Sequence, residues 1–110
     1  MKEDIGRCYA VVNPETKLFM GFRVDEFNGM GYKVSSYGTD EKGAIVPFNV
    51  FPNVKSPREE LAALGGENGA QDMGVMEAEL FIKCLALMNY AITPAKKQNE
   101  GNIESGCEIR

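Results

Sequence analysis

The sequence predicts an α+β fold: a four-stranded antiparallel β-meander followed by a short helix and one long apolar helix packed on the sheet. Three observations predict it. Four short segments rich in aromatic and β-branched residues come first, hairpin-type turn sequences separate them, and two helical patterns follow. With 110 residues, 44% of them hydrophobic, the chain can build one core. We therefore expect a single domain over residues 1–94 and a flexible C-terminal tail over residues 95–110.

Three turns join the four predicted strands. Asn13-Pro14 suits a type I turn, Asn28-Gly29 can take positive φ in a tight hairpin, and residues 40–43 fit a type I turn with a left-handed glycine. This order of turns predicts a meander. The strand segments are RCYAVVN from Arg7, LFMGFRVDEF from Leu18, YKVSSYG from Tyr32 and AIVPFNVF from Ala44.

The second and fourth strands indicate where the sheet is covered and where it is open. Apolar residues alternate with more polar ones along the second strand, so one of its faces needs a helix over it. Pro47 cannot donate a hydrogen bond to a neighbouring strand, which predicts that the fourth segment is an edge strand or a broken one. Its open side is a candidate docking edge. The apolar residues of the second strand are Leu18, Met20, Phe22 and Val24.

The first helix is predicted from residue 57 to about Leu64. Ser56 suits the N-cap, Pro57 suits the first helical position, and Glu59 completes a capping box. The glycines at positions 65 and 66 then supply the left-handed residue that ends the helix.

The second helix is predicted over residues 75–92, with Asp72 as its N-cap and Thr93-Pro94 as its end. Its apolar surface is far wider than one sheet can cover. We therefore expect a second copy of the chain to cover the rest, which predicts a homo-oligomer. The alternative is that the sheet curls around the helix and the tail covers the remainder. The few polar positions of this helix are Glu77, Glu79, Lys83 and Asn89.

Cysteines, termini and charge exclude several classes of protein. The first residues do not form a signal peptide, and no stretch has the roughly 18 uncharged apolar residues of a membrane span. Cys8, Cys84 and Cys107 form no CxxC motif, so we expect reduced thiols and a cytoplasmic location. The net charge is −4 and no basic stripe is present, so we expect no direct nucleic-acid binding. An acidic surface that mimics nucleic acid to a basic partner stays open.

We expect no enzyme activity, no catalytic residues, no cofactor and no metal site. The chain has no histidine, which removes the commonest general base and the commonest metal ligand. Glu77 and Glu79 lie two apart on a helix and point apart, so they do not form a carboxylate pair. Cys84 lies among apolar neighbours, where a thiol is inert.

Two features are candidates for binding a small anionic ligand. The glycine-rich segment at residues 65–72, which contains Asn68, leads into a predicted helix N-terminus, where N–H groups and the helix dipole favour an anion. The segment lacks the Gly-Lys-Ser/Thr of a phosphate-binding P-loop, and capping by Asp72 is the competing interpretation. Arginines and tyrosines that can hold a flat anionic ligand form the second feature: Arg7, Arg23, Tyr32, Tyr37 and Arg58.

The segment GGENGAQD at residues 65–72, followed by the apolar helix with Leu87 and Tyr90, resembles a Gly-x-Asn-Gly lead-in to a helix in sponge proteins. The make-up of the chain is also similar to that of small phage-encoded anti-defence proteins, the group that contains the sponges. The second helix of the sponge pattern is absent after Pro94. The resemblance implies sequestration of a cyclic nucleotide or cyclic ADP-ribose signal in a host cytoplasm without cleavage. It also implies ligand contacts at Phe81, Asn89 and Tyr90.

We therefore expect a non-enzymatic, homo-oligomeric binding protein that holds a nucleotide-type signal or another small anionic ligand between protomers. The alternative is an anti-CRISPR-like inhibitor or an adaptor, which offers the sheet edge near Pro47 or an acidic surface to a protein partner. The third hypothesis is a carboxylate-dependent hydrolase that uses Asp72 or Glu77.

Overall fold

The computed structural model describes residues 4–92 of the chain, and this part contains five strands and two α-helices. The predicted α+β class is confirmed. The predicted domain limit at residue 94 and the predicted tail at residues 95–110 lie outside the described residues. In chain order the elements are β1 (Arg7–Val12), β2 (Phe19–Phe27), β3 (Tyr32–Thr39), β4 (Ile45–Val54), α1 (Pro57–Leu64), a 3₁₀ turn (Gly66–Asn68), β5 (Gln71–Val75) and α2 (Ala78–Ile92).

The strands form one antiparallel sheet in the order β4-β3-β2-β1-β5, in which β1 to β4 are the predicted meander. Each turn of the meander is closed by the side-chain oxygen of its first residue, which accepts two backbone N–H groups of the same turn. The turn residues identified from the sequence are thus the ones that reverse the chain. They are Asn13, Asn28 and Asp40.

The prediction of four strands is incomplete, because residues 71–75 form β5 on the open edge of β1. Asp72 is therefore not the N-cap of the second helix, as was expected from the sequence. It lies opposite Tyr9 in the sheet, and its carboxylate accepts hydrogen bonds from Arg7 and from the N–H of Gly74. The helix α2 begins at Ala78, three residues later than expected.

Helix α1 begins where the sequence predicts, with Ser56 at the N-cap and Pro57 at the start. The Ser56 side chain makes no capping hydrogen bond, so the predicted capping box is not formed. The left-handed residue that follows the helix is Gly66, whose φ of +62° suits a glycine.

The two helices cover opposite faces of the sheet. Side chains alternate along each strand, so neighbouring residues of β1 and β2 belong to different faces. The short helix α1 covers the apolar side predicted for β2, which we call the α1 face, and α2 covers the other, which we call the α2 face. Buried residues on the α1 side are Val11, Phe22, Val24, Val34, Val54 and Leu61. Those on the α2 side are Cys8, Ala10, Tyr37, Ile45, Phe81 and Leu85.

Strand β4 lies at the edge of the sheet, as Pro47 predicts. Its pairing with β3 changes register twice, and residues 47–53 are exposed. At one of these changes three steps along β4, from Pro47 to Val50, match two along β3, from Tyr37 to Ser35. One extra residue therefore bulges from β4, and side chains beyond it are switched between the two faces.

Helix α2 leaves an apolar stripe on its outer side. The residues it buries are spaced four apart, at positions 81, 85 and 89, and they face the sheet. The outer side carries three large side chains with exposed fractions of 53%, 68% and 68%, which are Leu80, Leu87 and Tyr90. We call these three residues the α2 stripe.

Candidate functional site

The structure divides the five predicted arginines and tyrosines between the two faces of the sheet. Strand register decides this division, because residues that lie opposite each other on neighbouring strands share a face of the sheet. Arg23 lies opposite Ser35 and Tyr37 lies opposite Gly21, and all four are on the α2 face. The other three lie on the α1 side, close to the carboxylates of residues 4 and 72. They are Arg7, Tyr32 and Arg58.

The charge of Arg7 is matched by two carboxylates. Its Nη1 lies 3.1 Å from both carboxylate oxygens of Asp72, and its Nε lies 3.4 Å from Oδ1 of Asp4. The hydrogen bond to Asp72 raises the pKa of the Arg7 guanidinium. The N–H of Gly74 and the nearby Arg7 lower the pKa of Asp72. Tyr32 joins the same cluster by donating its hydroxyl hydrogen to Oδ2 of Asp4 at 3.0 Å.

Arg58 and Asn68 hold the glycine-rich segment against the rest of the fold. Nε of Arg58 donates to the carbonyl oxygen of Ala70 at 3.2 Å, and Nδ2 of Asn68 donates to that of Val12 at 2.8 Å. The segment therefore connects α1 to β5. It does not lead directly into a helix N-terminus, so the reason for expecting an anion at this position is removed.

Tyr37 is packed beneath α2, and Arg23 is bonded to the connection between β5 and α2. Nε of Arg23 donates to the carbonyl oxygen of Met76 at 2.9 Å, and its Nη1 donates to Asp25 at 3.2 Å. The ring of Tyr37 is buried and lies edge-on to Phe81, with 5.7 Å between ring centroids. Burial raises the pKa of the Tyr37 hydroxyl. Both residues thus support the junction between the sheet and α2.

The three helix residues implied by the resemblance differ in their surroundings. Phe81 is fully buried in the core. Asn89 is 8% exposed, and its Oδ1 accepts the N–H of Phe19 at 2.6 Å while its Nδ2 donates to Oγ1 of Thr39 at 3.1 Å. Tyr90 is 68% exposed and belongs to the α2 stripe. A ligand contact at these three residues stays a prediction.

An apolar cleft of about 450 Å³ lies between β4 and the end of α1. Most of its strand residues belong to the α1 face, and Phe19, Tyr37 and Thr39 of the α2 face also line it. We call it the β4–α1 cleft. Residues of β2 and β3 line its floor, β4 and α1 form its walls, and two of the three meander turns form its rim. Its lining consists of Asn13, Thr16, Leu18, Phe19, Met20, Phe22, Ser36, Tyr37, Gly38, Thr39, Asp40, Phe48, Asn49, Phe51 and Leu64.

The cleft exists because eight-residue α1 covers β1 and β2 and leaves the β4 side of the α1 face open. Phe48 folds its ring over Gly38, where a Cβ atom would come within 2.5 Å of the ring. Phe51 packs against Phe22 with 5.7 Å between ring centroids. Phe48, Phe51 and Leu64 nevertheless remain 58%, 37% and 51% exposed. These three side chains give the cleft an apolar, accessible wall.

Sequence reasoning missed this site. Phe48 and Phe51 are three residues apart, and in a regular strand an odd spacing places two side chains on opposite faces. The bulge between Pro47 and Val50 brings both rings to the α1 face. The only available signal was the pair of aromatic residues beside Pro47, in a segment already identified as an edge.

The cleft carries one charged lining residue within the described part of the chain, and it is acidic. This residue, Asp40, uses Oδ1 to accept the N–H groups of Lys42 and Ala44, both at 2.9 Å. None of the predicted arginines lines the cleft. Its chemistry therefore favours apolar or cationic groups over anions.

Residues 4–92 lack two features, a metal-binding group and a membrane-spanning helix. No three histidine, cysteine or acidic side chains there are grouped in a way that would hold a metal ion. No helix there is both long and apolar enough to cross a membrane. Comparison of the chain with protein-family models, with curated proteins and with solved structures finds no match.

Proposed function

We propose that this chain is a non-enzymatic binding protein and that its β4–α1 cleft receives apolar side chains of a protein partner. The observation that carries this proposal is the exposed wall of Phe48, Phe51 and Leu64 around a cavity of about 450 Å³. A contiguous exposed apolar patch on a small domain is typical of an interaction site. Pockets of this kind accept the aromatic or aliphatic anchors that dominate binding energy in protein interfaces.

The contacts of the cleft support binding rather than catalysis. The hydroxyl of Ser36, on the floor, is occupied by the backbone of Asn49, which donates to it at 3.0 Å. Burial raises the pKa of the Cys8 thiol to about 12, which keeps it protonated and unreactive on the other face. The sequence supplies no histidine that could act as a base beside either group.

We expect the partner to bind through side chains rather than by adding a strand to β4. Pro47 and Pro52 lack N–H groups, and the two register changes bend the strand. Such features protect an edge from pairing with another strand. The cleft beside the edge is free of this restriction, because a side chain can enter it without pairing with the backbone of β4.

A second copy of the chain is the partner that we propose for the α2 stripe. Leu80, Leu87 and Tyr90 are exposed on the side of α2 that faces away from the sheet. Symmetric homo-oligomers are the commonest way in which soluble proteins bury such surface. This contact lies on the opposite face of the sheet from the cleft, so the two proposals can be tested independently.

A nucleotide-type signal is the second candidate ligand, as the resemblance to anti-defence sponges implies. The observation that favours it is that Arg7, Arg58 and Tyr32 approach one another on the α1 side. An anion there would have to compete with Asp72 and Asp4 for Arg7. Native mass spectrometry with a panel of cyclic nucleotides tests this candidate, and the absence of any retained nucleotide would exclude it.

The protein-binding proposal is tested by selecting peptides from a displayed random library on the immobilised chain and titrating an enriched peptide. Phe48→Ala should weaken its binding by at least about tenfold, the loss typical of a buried anchor contact. Met30→Ala is the matched control, because Met30 is 77% exposed but lies in the β2–β3 turn, at the opposite end of the strands. An enriched peptide whose affinity is the same for both variants would contradict the proposal.

A further inference from the structure

The single acidic residue of the β4–α1 cleft suggests what kind of segment the cleft accepts. Asp40 directly follows β3, where the chain turns towards β4, and it is partly buried. It lines the same cavity as the exposed rings of Phe48 and Phe51. A carboxylate at the edge of an apolar, aromatic cavity creates a local negative potential there.

The turn itself does not require this carboxylate. Oδ1 of Asp40 accepts both N–H groups that close the turn, and the Asp40 N–H donates to the carbonyl oxygen of Ala44 at 2.8 Å. No hydrogen bond or ion pair to Oδ2 occurs within residues 4–92. An asparagine would offer the same Oδ1 acceptor. The second oxygen and the negative charge are therefore available to a ligand.

The aromatic wall favours the same type of ligand. The faces of aromatic rings attract cations, and Phe48 and Phe51 are the most exposed rings of the cleft. No lysine or arginine among the described residues lines the cavity itself, and the nearest along the chain, Lys17 and Lys42, are exposed in the two turns at its rim. The net charge of −4 on the chain acts in the same direction at long range.

We infer that the partner of the β4–α1 cleft is a basic amphipathic peptide segment, in which a bulky apolar side chain enters the cleft and an adjacent lysine or arginine pairs with Oδ2 of Asp40. This inference rests on the proposed function and specifies its partner. A neutral apolar segment and a small organic cation are the other possible occupants, and the experiment below distinguishes them.

The test uses two synthetic peptides, acetyl-Lys-Phe-Lys-Phe-amide and acetyl-Gln-Phe-Gln-Phe-amide, titrated into the isotope-labelled full chain and followed by NMR. The basic peptide should bind about fivefold more tightly than the neutral one, which corresponds to a partly exposed charge pair. The difference should shrink when salt is raised, because the pair is screened. Tetramethylammonium chloride at matched ionic strength shows whether the cation alone is enough.

Asp40→Asn should remove most of the difference in affinity between the two peptides while leaving the turn and the melting temperature unchanged. Glu41→Gln is the matched control, since it removes a neighbouring charge that does not line the cleft. Equal binding of both peptides to the wild-type chain would overturn the inference and leave the proposed function standing. Saturable binding of tetramethylammonium as tight as that of the basic peptide would also overturn it. If neither peptide binds, both proposals are wrong.

Discussion

The ring of Phe81 lies directly on Gly21, so that α2 touches the backbone of β2 at the centre of the sheet. A Cβ atom at position 21 would come within 2.9 Å of Cε2 of this ring and within 2.9 Å of the carbonyl oxygen of Tyr9. Phe81 is fully buried and cannot swing aside into solvent. The close approach of helix and strand therefore depends on a missing side chain.

Gly21→Ala should destabilise the fold by about 1–3 kcal/mol, the usual cost of overpacking a core. Urea unfolding measures the change in the free energy of unfolding. Gly38→Ala is the matched control, because the three atoms nearest to its new Cβ would all belong to the exposed ring of Phe48, which can move. We expect a smaller loss there, and equal losses for the two variants would contradict the packing described.

Asn89→Ala should lower the free energy of unfolding by about 1–3 kcal/mol, because it leaves the Phe19 N–H without its acceptor at a partly buried position. The variant also removes the bond to Thr39. Chemical denaturation provides the measurement, and Lys83→Ala, an exposed change on the same helix, should stay within about 0.5 kcal/mol of the wild type. A similar small effect for both changes would show that Asn89 does not anchor the helix.

Asp72 should contribute to stability at neutral pH and lose that contribution in acid. Hydrogen bonding to Gly74 and Arg7 holds the pKa of Asp72 below its ordinary value of 3.8. A group with a depressed folded-state pKa stabilises the fold above its unfolded pKa, and the effect is lost as pH falls through the folded value. We expect the free energy of unfolding to fall by less than about 1 kcal/mol below about pH 4, since the Asp72 carboxylate is largely exposed.

The variant Asp72→Asn isolates this effect, since its Oδ1 can still accept the Gly74 N–H. Thermal melting between pH 7 and pH 2 should show a weaker loss of stability in acid for Asp72→Asn than for the wild type. Glu60→Gln, which removes an exposed carboxylate from α1, serves as the control. Identical acid profiles for Asp72→Asn and wild type would rule out the role assigned to this carboxylate.

Leu87→Glu should convert a homo-oligomer into a monomer, because it places a charge in the middle of the α2 stripe. Size-exclusion chromatography with light scattering gives the mass in solution. Met30→Glu adds the same charge at an apolar residue outside the stripe that is even more exposed than Leu87, and it should leave the mass unchanged. A wild-type chain that is monomeric at all accessible concentrations would refute the proposal for the stripe.

Local signals in the sequence predict much of the sheet. Asn13, Asn28 and Asp40 close their own turns through side-chain oxygens, so their effect is independent of distant residues. Pro47 marks the edge strand for a similarly local reason, because the missing N–H belongs to the residue itself. These parts of the fold are accessible from a single sequence.

Strand β5 and the cleft depend on pairings between distant parts of the chain. Residues 71–75 include Asp72 and Gly74, two types that are uncommon in strands, and they pair because β1 has an open edge, which no local pattern reveals. The bulge in β4 likewise arises from its register with β3, and it alone brings Phe48 and Phe51 to one face. Register also separates Arg23 from Arg7, which sequence reasoning had grouped in one binding set.

Strand β5 has a further consequence, since it carries the chain from α1, on one face of the sheet, to α2, on the other. The β4–α1 cleft and the α2 stripe therefore point in opposite directions. Two chains joined through their stripes would form a bivalent particle with both clefts directed outwards. Such a particle gains avidity for a target that displays its recognition segment more than once, without any increase in the affinity of a single cleft.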